Sequence, residues 1–211
     1  MKILNLILFI GLAAMPFALT KAAINISAER KSEKRIDTAT FATGCFWCGQ
    51  AKFSQLKGVI KVTAGYTGGH VSNPNYEEVC TGTTGHAEAF NVIFDPAVIS
   101  FDDLLEAFFL SHDPTQLNRQ GNDVGTQYRS AIFYHNKEQA DKSMYYVNKL
   151  TENKIYPDPI VTEITGFMVF YPAENYHQDY YKKNPNQRYC RYVIQPQLEK
   201  FKHLFKEKIK P

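Results

Sequence analysis

Two cysteines near the start of the chain have the spacing of a redox pair. Cys45 and Cys48 lie three residues apart, where a β-branched run gives way to a stretch of helical pattern. The first turn of a helix offers free N–H groups and the positive end of the helix dipole, which favour a thiolate. Residues at this spacing share a helix face, at a Cα separation of about 5–6 Å that a disulfide accepts. The spacing predicts that Cys45 is an activated nucleophile and that the pair cycles between dithiol and disulfide.

Structural roles for these cysteines fit the sequence less well. Ordinary buried cysteines need no CxxC spacing at the start of a helix. A structural zinc site needs a full set of nitrogen or sulfur ligands, and neither a second CxxC nor an HxxxH follows among the six histidines. The chain has four cysteines, which would permit two structural disulfides, but a domain of this size folds without them. We therefore predict no metal site and no bound cofactor.

Phe46 and Trp47 lie between the two thiols. Two adjacent bulky aromatics at a turn do not both point into the same core, so we expect at least one to be exposed. One interpretation is an apolar surface for a methyl or thioether group, since sulfur and methyl groups make favourable contacts with aromatic rings. The other is that one ring belongs to the core and the other covers the turn.

The elements that position Cys45 follow from the periodicity of the apolar residues. Residues 38–43 predict a buried strand that ends at Gly44, and residues 45–56 predict a helix that ends at Gly58. Ser100 and Asp103 predict a capping box at the start of a later helix. The other predicted strands are 59–64, 90–94, 128–134 and 160–165, the other predicted helices are 137–150 and 196–210, and the predicted loops are 65–75 and 112–126.

The N-terminal segment has the pattern of a signal peptide. Residues 1–22 combine a lysine, an apolar run and small residues, with Ala22 and Ala23 as alternative cleavage points. The run is shorter than the roughly 20 residues that cross a bilayer and is interrupted by Pro16, so we expect no stable membrane association. Residues 23–37 predict a flexible arm, and residues 38–211 predict one domain that ends in an amphipathic helix. We expect an exported protein, periplasmic or secreted.

The charge balance argues against a nucleic-acid partner. The chain carries 24 Lys and Arg against 21 Asp and Glu, a net charge of +3. Its basic residues cluster at 182–183 and 200–210, which is typical of a solvated helix face rather than a phosphate-binding stripe.

Five blocks of sequence stand out along the chain. They are Gly44-Cys45-Phe46-Trp47, Gly65-Tyr66-Thr67-Gly68-Gly69, Asn75-Tyr76-Glu77-Glu78-Val79-Cys80, Gly85-His86-Ala87-Glu88, and Gln120-Gly121-Asn122-Asp123-Val124-Gly125-Thr126-Gln127-Tyr128-Arg129-Ser130. Together they resemble one family, peptide methionine sulfoxide reductase A, and they occur in the family's order. The resemblance runs from Ala39 to about Ile194, and the leader, the arm and the last helix lie outside it.

The resemblance implies a fold and a reaction. The fold is a single α+β domain with a mixed sheet flanked by helices, a two-layer ferredoxin-like sandwich, and we expect a monomer. The reaction is stereospecific reduction of the S epimer of methionine sulfoxide, free or in proteins, which would repair oxidised exported proteins. Cys45 attacks the sulfoxide sulfur and becomes a sulfenic acid, which a second thiol converts to a disulfide.

The resemblance also implies roles for residues distant in the sequence. Phe46 and Trp47 hold the substrate methyl group. Glu88, Tyr76 and Tyr128 bind and protonate the sulfoxide oxygen, and Asp123 supports the pocket. Glu88 is the natural acid, provided that an apolar environment keeps it protonated near neutral pH.

Further residues of these blocks and of the C-terminal region receive weaker assignments. We expect His86 and Cys80 to be structural. His177, Gln178 and Tyr180 resemble a family segment near the site, with a role left open.

The resolving thiol is open at this stage. Many members of the family carry Gly where this chain has Cys48, whereas a subset has Cys there. Cys190 matches the position of a C-terminal resolving cysteine in other members. Our hypothesis is that Cys48 attacks first and that Cys190 relays the disulfide outward or substitutes for Cys48. An external dithiol, thioredoxin-like by resemblance, then regenerates the enzyme.

Two other functions remain open for this chain. A thioredoxin-like disulfide oxidoreductase also has CxxC after a strand, but it gives Phe46 and Trp47 no task. A secreted binding domain with two disulfides would resist mild reductant and turn over no sulfoxide.

Overall fold

Strand β1 lies near the middle of a mixed sheet in the computed structural model, which describes residues 36–211. The sheet has six strands in the order β7-β6-β1-β3-β2-β8, and only the pair β6–β7 is parallel. A separate pair, β4–β5, forms a small hairpin. The strands are β1 (Asp37–Thr43), β2 (Val59–Thr67), β3 (Ala87–Phe94), β4 (Arg119–Gln120), β5 (Asp123–Val124), β6 (Ser130–Tyr134), β7 (Glu163–Gly166) and β8 (Phe170–Pro172).

Helices follow most of the strands. They are α1 (Phe46–Phe53), α2 (Tyr76–Cys80), α3 (Phe101–Ser111), α4 (Lys137–Glu152), α5 (Tyr180–Lys183) and α6 (Gln195–Leu204). A π-helical turn, Cys190–Ile194, leads directly into α6, and short 3₁₀ turns span Thr126–Tyr128 and Lys206–Lys208. The longest, α4, begins at the N-cap Asn136, whose side chain accepts the N–H of Gln139.

The two faces of the sheet carry different side chains. One face holds a cluster of large aromatics that includes Phe41, Phe53, Phe90 and Phe108, packed among strands and helices. Burying each such ring contributes about 1.5–3 kcal/mol relative to leaving it in water. The other face holds small residues such as Ala42, under partly buried aromatic side chains of the β7–β8 segment. The expected α+β fold, a single domain with a mixed sheet flanked by helices, is confirmed.

Glycines make the turn from β1 into α1 possible. Gly44 has a φ of +85°, and a Cβ there would lie 2.5 Å from Cβ of Gln120. Gly49, inside α1, lets the helix approach β3 so closely that a Cβ would lie 2.1 Å from the ring of Phe90. Cys45 is therefore held between a turn that excludes other residues and a helix pressed against the sheet.

The predicted capping box is present. Oγ of Ser100 accepts the backbone N–H of Asp103, whose carboxylate accepts the backbone N–H of Ser100 in return. The predicted helix 196–210 docks as expected but is shorter than predicted, because α6 ends at Leu204. The backbone after it pairs with the loop that follows α1 instead of continuing the helix. Lys57 N–H donates to the carbonyl of Lys208, and Lys210 N–H donates to that of Gln55, both at 2.7 Å.

Other boundaries also differ from the predictions. The predicted helix 45–56 begins at Phe46 and ends at Phe53, with Cys45 as its N-cap. The predicted loop 112–126 contains the hairpin β4–β5. The predicted strand 128–134 starts only at Ser130, because a 3₁₀ turn occupies the residues before it.

The predicted signal peptide, 1–22, and most of the predicted arm, 23–37, lie outside the described residues; β1 begins at the last residue of that arm. Within 36–211, no helix combines the length and the apolar character needed to cross a membrane.

Candidate active site

Cys45 lies at the floor of a small cavity. It is the N-cap of α1, and its carbonyl accepts the N–H groups of Cys48 and Gly49 at 3.1 and 3.4 Å. The cavity has a volume of about 180 Å³, and residues from five separate segments of the chain line it. The lining residues are Cys45, Phe46, Trp47, Tyr76, Glu88, Asp123, Tyr128 and Tyr189. The structure therefore brings together seven of the nine predicted site residues and leaves Cys48 and Cys190 outside the cavity wall.

Glu88 is the buried acid of the cavity. Its side chain is 2% exposed, and Oε2 accepts the backbone N–H of Phe46 at 3.0 Å. Oε1 makes no hydrogen bond to any residue in the range 36–211. Burial raises the pKa of Glu88 to about 8, against the opposing effect of the Phe46 N–H, with nearby Asp123 and Cys48 adding to the rise. The carboxyl is thus protonated at neutral pH, as a proton donor must be.

Tyr76 and Tyr128 add hydroxyl groups to the same cavity. Burial raises the pKa of both, and the negative form of Glu88 would raise them further, so both remain hydrogen-bond donors. The Tyr76 hydroxyl also bonds to the thiol of Cys80. Its backbone N–H donates to Oε1 of Glu174 at 2.9 Å, which fixes the start of α2. Together with Glu88, these side chains surround the cavity with protons that can be donated to an oxygen atom.

Phe46 and Trp47 occupy different positions. Phe46 is fully buried and packs against Tyr66, with ring centroids 5.8 Å apart. Trp47 is half-buried and stacks on Tyr180 at 3.8 Å, with ring planes 7° apart. Its indole N–H donates to Nδ1 of His177 at 3.1 Å. One aromatic of the pair is therefore part of the core and the other is partly exposed, and both present apolar surface to the cavity.

Tyr189 is the lining residue that sequence reasoning missed. Its hydroxyl donates to Oδ2 of Asp123 at 2.6 Å and lies 4.0 Å from Sγ of Cys48. Burial, the two thiols and Asp123 raise the pKa of Tyr189 far above its ordinary value, so the hydroxyl stays protonated. The only signal in the sequence was its position next to Cys190.

The thiols are free, and their charges are not distributed as predicted. Burial raises the pKa of Cys45 well above its ordinary value, with the neighbouring Cys48 and Glu88 adding to the rise. The expectation that the helix N-terminus lowers the pKa of Cys45 is therefore wrong, because burial outweighs the favourable end of the helix. The pKa of Cys48 is lowered, chiefly by a hydrogen bond from Cys45 and against the effect of its burial. Of the two thiols, Cys48 is thus the one that ionises more readily.

Cys190 is buried near Cys45 and Cys48 and does not line the cavity. It begins the π-helical turn, is 0% exposed and packs in the same apolar cluster as Cys45 and Cys48. Burial raises its pKa, and the negative charge of Cys48 adds to the effect, so Cys190 is a neutral thiol. It has neither the ionisation nor the exposure of a first attacking group in this arrangement.

A second depression, which Glu88 does not line, also reaches the thiols. It has a volume of about 270 Å³, and both Cys45 and Cys48 line it. Its rim includes Tyr192, which is 71% exposed, and residues of the hairpin β4–β5. Cys45 thus borders both depressions, whereas Cys48 borders only the second.

The histidines near the site are structural. His86 accepts the N–H of Gly69 through Nδ1, and its Nε2 bonds to the carbonyl of Val71, as expected for a satisfied core histidine. His177 supports Trp47 through Nδ1, so Nε2 carries the proton, and within the described residues Nε2 has no hydrogen-bond partner. Burial lowers the pKa of His177, which keeps it neutral.

Gln178 is structural as well, since its amide bonds to both the N–H and the carbonyl of Ala64 on β2. Across residues 36–211, no group of three or more His, Cys, Asp and Glu side chains is arranged to hold a metal ion.

Comparisons with known proteins agree with this geometry. A family model described as peptide methionine sulfoxide reductase matches residues 37–209. The chain is 51% identical over 181 residues to peptide methionine sulfoxide reductase MsrA of Polynucleobacter asymbioticus, covering 86% of this chain and 95% of that relative. It is 53% identical to MsrA of Thermus thermophilus, covering 83% and 98%.

A solved structure of reduced Mxr1 from Saccharomyces cerevisiae has a similar fold. Its TM-score is 0.70 at 33% identity, and the match covers 75% of this chain and 91% of that one. The span matched by the family model includes the turn, the acid and the hydroxyl groups described above. The chain therefore belongs to the peptide methionine sulfoxide reductase family and is an oxidoreductase of that class.

Proposed function

We propose that the chain reduces the S epimer of methionine sulfoxide, free or within proteins, through a sulfenic acid on Cys45 and then a disulfide. The observation that carries the proposal is the position of Cys45 beside a carboxylic acid, Glu88, that stays protonated at neutral pH. A sulfoxide oxygen leaves only if it gains protons, and a thiol in an apolar cavity does not supply enough of them.

The first step transfers the oxygen from methionine to Cys45. Sγ of Cys45 attacks the sulfoxide sulfur while Glu88 donates a proton to the oxygen, and the hydroxyls of Tyr76 and Tyr128 hydrogen-bond to it. The Cys45 proton passes to the thiolate form of Cys48, the thiol of the pair whose pKa is lowered. Methionine gains two electrons, and Cys45 loses two and becomes a sulfenic acid.

The preference for one epimer follows from fixing three directions around the sulfoxide sulfur. Phe46 and Trp47 hold the methyl group, Glu88 holds the oxygen, and Cys45 defines the line of attack. Only one configuration then points the rest of the substrate toward solvent. The assignment of that configuration to the S epimer rests on the family resemblance.

The second step forms a disulfide between Cys45 and Cys48. Cys48 passes the proton that it took from Cys45 to the carboxylate of Glu88; its Sγ then attacks Sγ of Cys45, the S–O bond breaks, and the oxygen leaves as water with that proton. Cys48 is favoured over Cys190 because it lies one helical turn from Cys45 and ionises more readily, whereas Cys190 is buried and neutral. Cys190 then serves to relay the disulfide or to replace Cys48.

An external dithiol of the thioredoxin-like class returns the pair to its reduced form. The second depression is the approach we assign to it, because both cysteines line this depression, whereas Glu88, Phe46 and Trp47 do not. The pattern of residues 1–22 supports export, so the reductant would act in the periplasm or outside the cell on oxidised exported proteins.

The experiment that tests this function uses resolved R and S epimers of a methyl sulfoxide peptide with dithiothreitol. We expect turnover of the S epimer alone, and none with Cys45→Ser. Unreacted S epimer would overturn the proposal. A general disulfide oxidoreductase would instead reduce insulin and leave both epimers unchanged, and a binding domain would do neither.

Mapping the cysteines after a single turnover tests the order of the thiols. Quenching by alkylation, followed by peptide mass analysis, is expected to give a Cys45–Cys48 bond as the first product. A Cys45–Cys190 bond appearing first would overturn the assignment of Cys48.

A further inference from the structure

A lysine lies in the protein interior one turn after Cys48. Lys52 belongs to α1 and is 2% exposed. Residues at positions i and i+4 of a helix share a face, so Cys48 and Lys52 lie on the same side of α1. An ammonium group loses its hydration when it is buried, and proteins keep one there only when other groups compensate.

The fixed neighbours of Lys52 are neutral. Nζ donates to the carbonyl of Ser111 at 2.7 Å and to Oε1 of Gln197 at 2.8 Å. In the described part of the chain, no Asp or Glu oxygen lies within 4.0 Å of Nζ. These contacts replace water around the ammonium but do not neutralise it.

Among the charged and titratable groups that act on Lys52, the two thiols are the ones that supply a negative charge. Burial lowers the pKa of Lys52, and the thiolate forms of Cys48 and Cys45 raise it again. Lys200 on α6 opposes the positive form, and burial keeps His112, at the end of α3, neutral. Lys52 in turn contributes to the lowered pKa of Cys48.

We propose that Lys52 is a positioning residue for disulfide formation, whose buried ammonium holds the negative charge on Sγ of Cys48 for attack on the Cys45 sulfenic acid. In this step the proton that Cys48 took from Cys45 passes to the carboxylate that Glu88 became in the first step, the S–S bond forms and the S–O bond breaks, and the oxygen leaves as water with that proton. The proposal rests on the proposed function and adds the residue that prepares the resolving thiol.

The same charge affects the equilibrium between the dithiol and the disulfide. A thiolate exists only in the reduced pair, so an ammonium beside it stabilises the reduced form and makes the disulfide more oxidising. Oxidation removes the counter-charge of Lys52 and leaves its ammonium with neutral acceptors alone.

A purely structural role for Lys52 predicts something different. A structural lysine would act only through the hydrogen bonds of Nζ to Ser111 and Gln197, so removing them would lower the free energy of unfolding and leave the thiol chemistry unchanged. Lys52→Met is expected instead to change the rate and the pH profile of disulfide formation, whatever the change in the free energy of unfolding.

The test measures single-turnover disulfide formation in the full-length protein and in Lys52→Met. We expect this step to slow by at least about tenfold, with Cys45 sulfenic acid accumulating as a dimedone adduct. The midpoint of its pH profile moves upward, because removing a cation raises the pKa of Cys48. In glutathione buffers the disulfide becomes about tenfold more stable, a shift of about 30 mV.

Three further variants make the result decisive. Lys52→Gln is a second neutral replacement, in case Lys52→Met folds poorly, and Lys52→Arg is expected to retain the low midpoint. Lys61→Met removes an exposed cation on β2 that has no part in the pKa shifts of Lys52 and Cys48, and it is expected to change nothing. Unchanged disulfide formation and redox equilibrium in the neutral variants would overturn the proposal. Failure of the proposed function is separate, because the unmodified protein would then release no methionine.

Discussion

The carboxyl of Glu88 accepts the backbone N–H of Phe46 at 3.0 Å, so the acid of the cavity is hydrogen-bonded to the residue that follows Cys45. Glu88 lies on β3 and Cys45 at the start of α1, two elements that pack directly through Gly49. The distance between acid and thiol is therefore set by the contact between a helix and the sheet. Mobile loops have no part in it.

Replacing Glu88 by Gln is expected to lower the rate of sulfoxide reduction by about 10²–10⁴-fold, because the amide keeps the shape of the acid but has no proton to give. Single-turnover release of methionine measures the effect. The matched control is Glu77→Gln, an exposed carboxylate on α2, which is expected to leave the rate unchanged. Equal rates for Glu88→Gln and the unmodified protein would remove Glu88 from the mechanism.

The pKa of Glu88, about 8, predicts how the first step depends on pH. The acid form is required, so kcat/KM is expected to be constant at low pH with respect to this group and to fall as pH rises through about 8. The profile of Glu88→Gln is expected to lack this fall. An identical fall in both proteins would assign it to another group.

The same shift predicts a pH-dependent stability. The carboxyl titrates near 4.5 when unfolded and near 8 when folded, so between these values the folded state binds more protons. Stability must then decrease with rising pH across this window, by up to about 1.4 kcal/mol per pH unit. Urea unfolding of Glu88→Gln is expected to show a smaller slope, and equal slopes would contradict the burial of an ionisable acid here.

The hydrogen bond between Tyr189 and Asp123 predicts non-additive mutants. Tyr189→Phe and Asp123→Ala each remove the 2.6 Å bond, so the double variant is expected to be little slower than either single one. The readout is kcat/KM for the S epimer. The control is Tyr192→Phe, which changes an exposed neighbour on the same turn. Fully additive losses would show that the two side chains act separately.

Gly44, in the turn before Cys45, and Gly121, in the turn between β4 and β5, are expected to differ in the stability lost when each is replaced by Ala. Gly121→Ala, at φ +62° in open space, is expected to cost about 1–2 kcal/mol from backbone conformation alone. Gly44→Ala, at φ +85°, adds a collision with the side chain of Gln120 and is expected to cost at least about 1 kcal/mol more. Urea denaturation compares the two. Equal losses would mean that the Gln120 side chain moves aside freely.

The local features of this fold were predictable because they depend on neighbouring residues. The strand before Gly44, the helix that carries Cys48 and the cap at Ser100 all follow from patterns within a few residues. The site itself joins positions that lie far apart in the sequence, such as Tyr76 and Tyr128, and only the family resemblance grouped them before the structure did.

The electrostatics could not be read from the sequence. The position of Cys45 at a helix start predicted a thiolate, but its burial reverses the direction of the pKa shift. Lys52 looked like one helix lysine among many, and its burial depends on packing against α3 and α6. Tyr189 enters the cavity because a π-helical turn brings it back to α1. Each of these depends on tertiary contacts that periodicity does not encode.

The pairing of residues 208–210 with the loop after α1 gives this segment a part in holding the helix that carries the thiols. Residues 208–210 hold Gln55, Leu56 and Lys57 through backbone contacts, directly after the helix that carries Cys48 and Lys52. Proteolytic trimming of a few C-terminal residues would therefore free the end of that helix, although every residue of the cavity remains. Treatment with a carboxypeptidase is then expected to slow the steps carried out by the thiols and to change the affinity for substrate least.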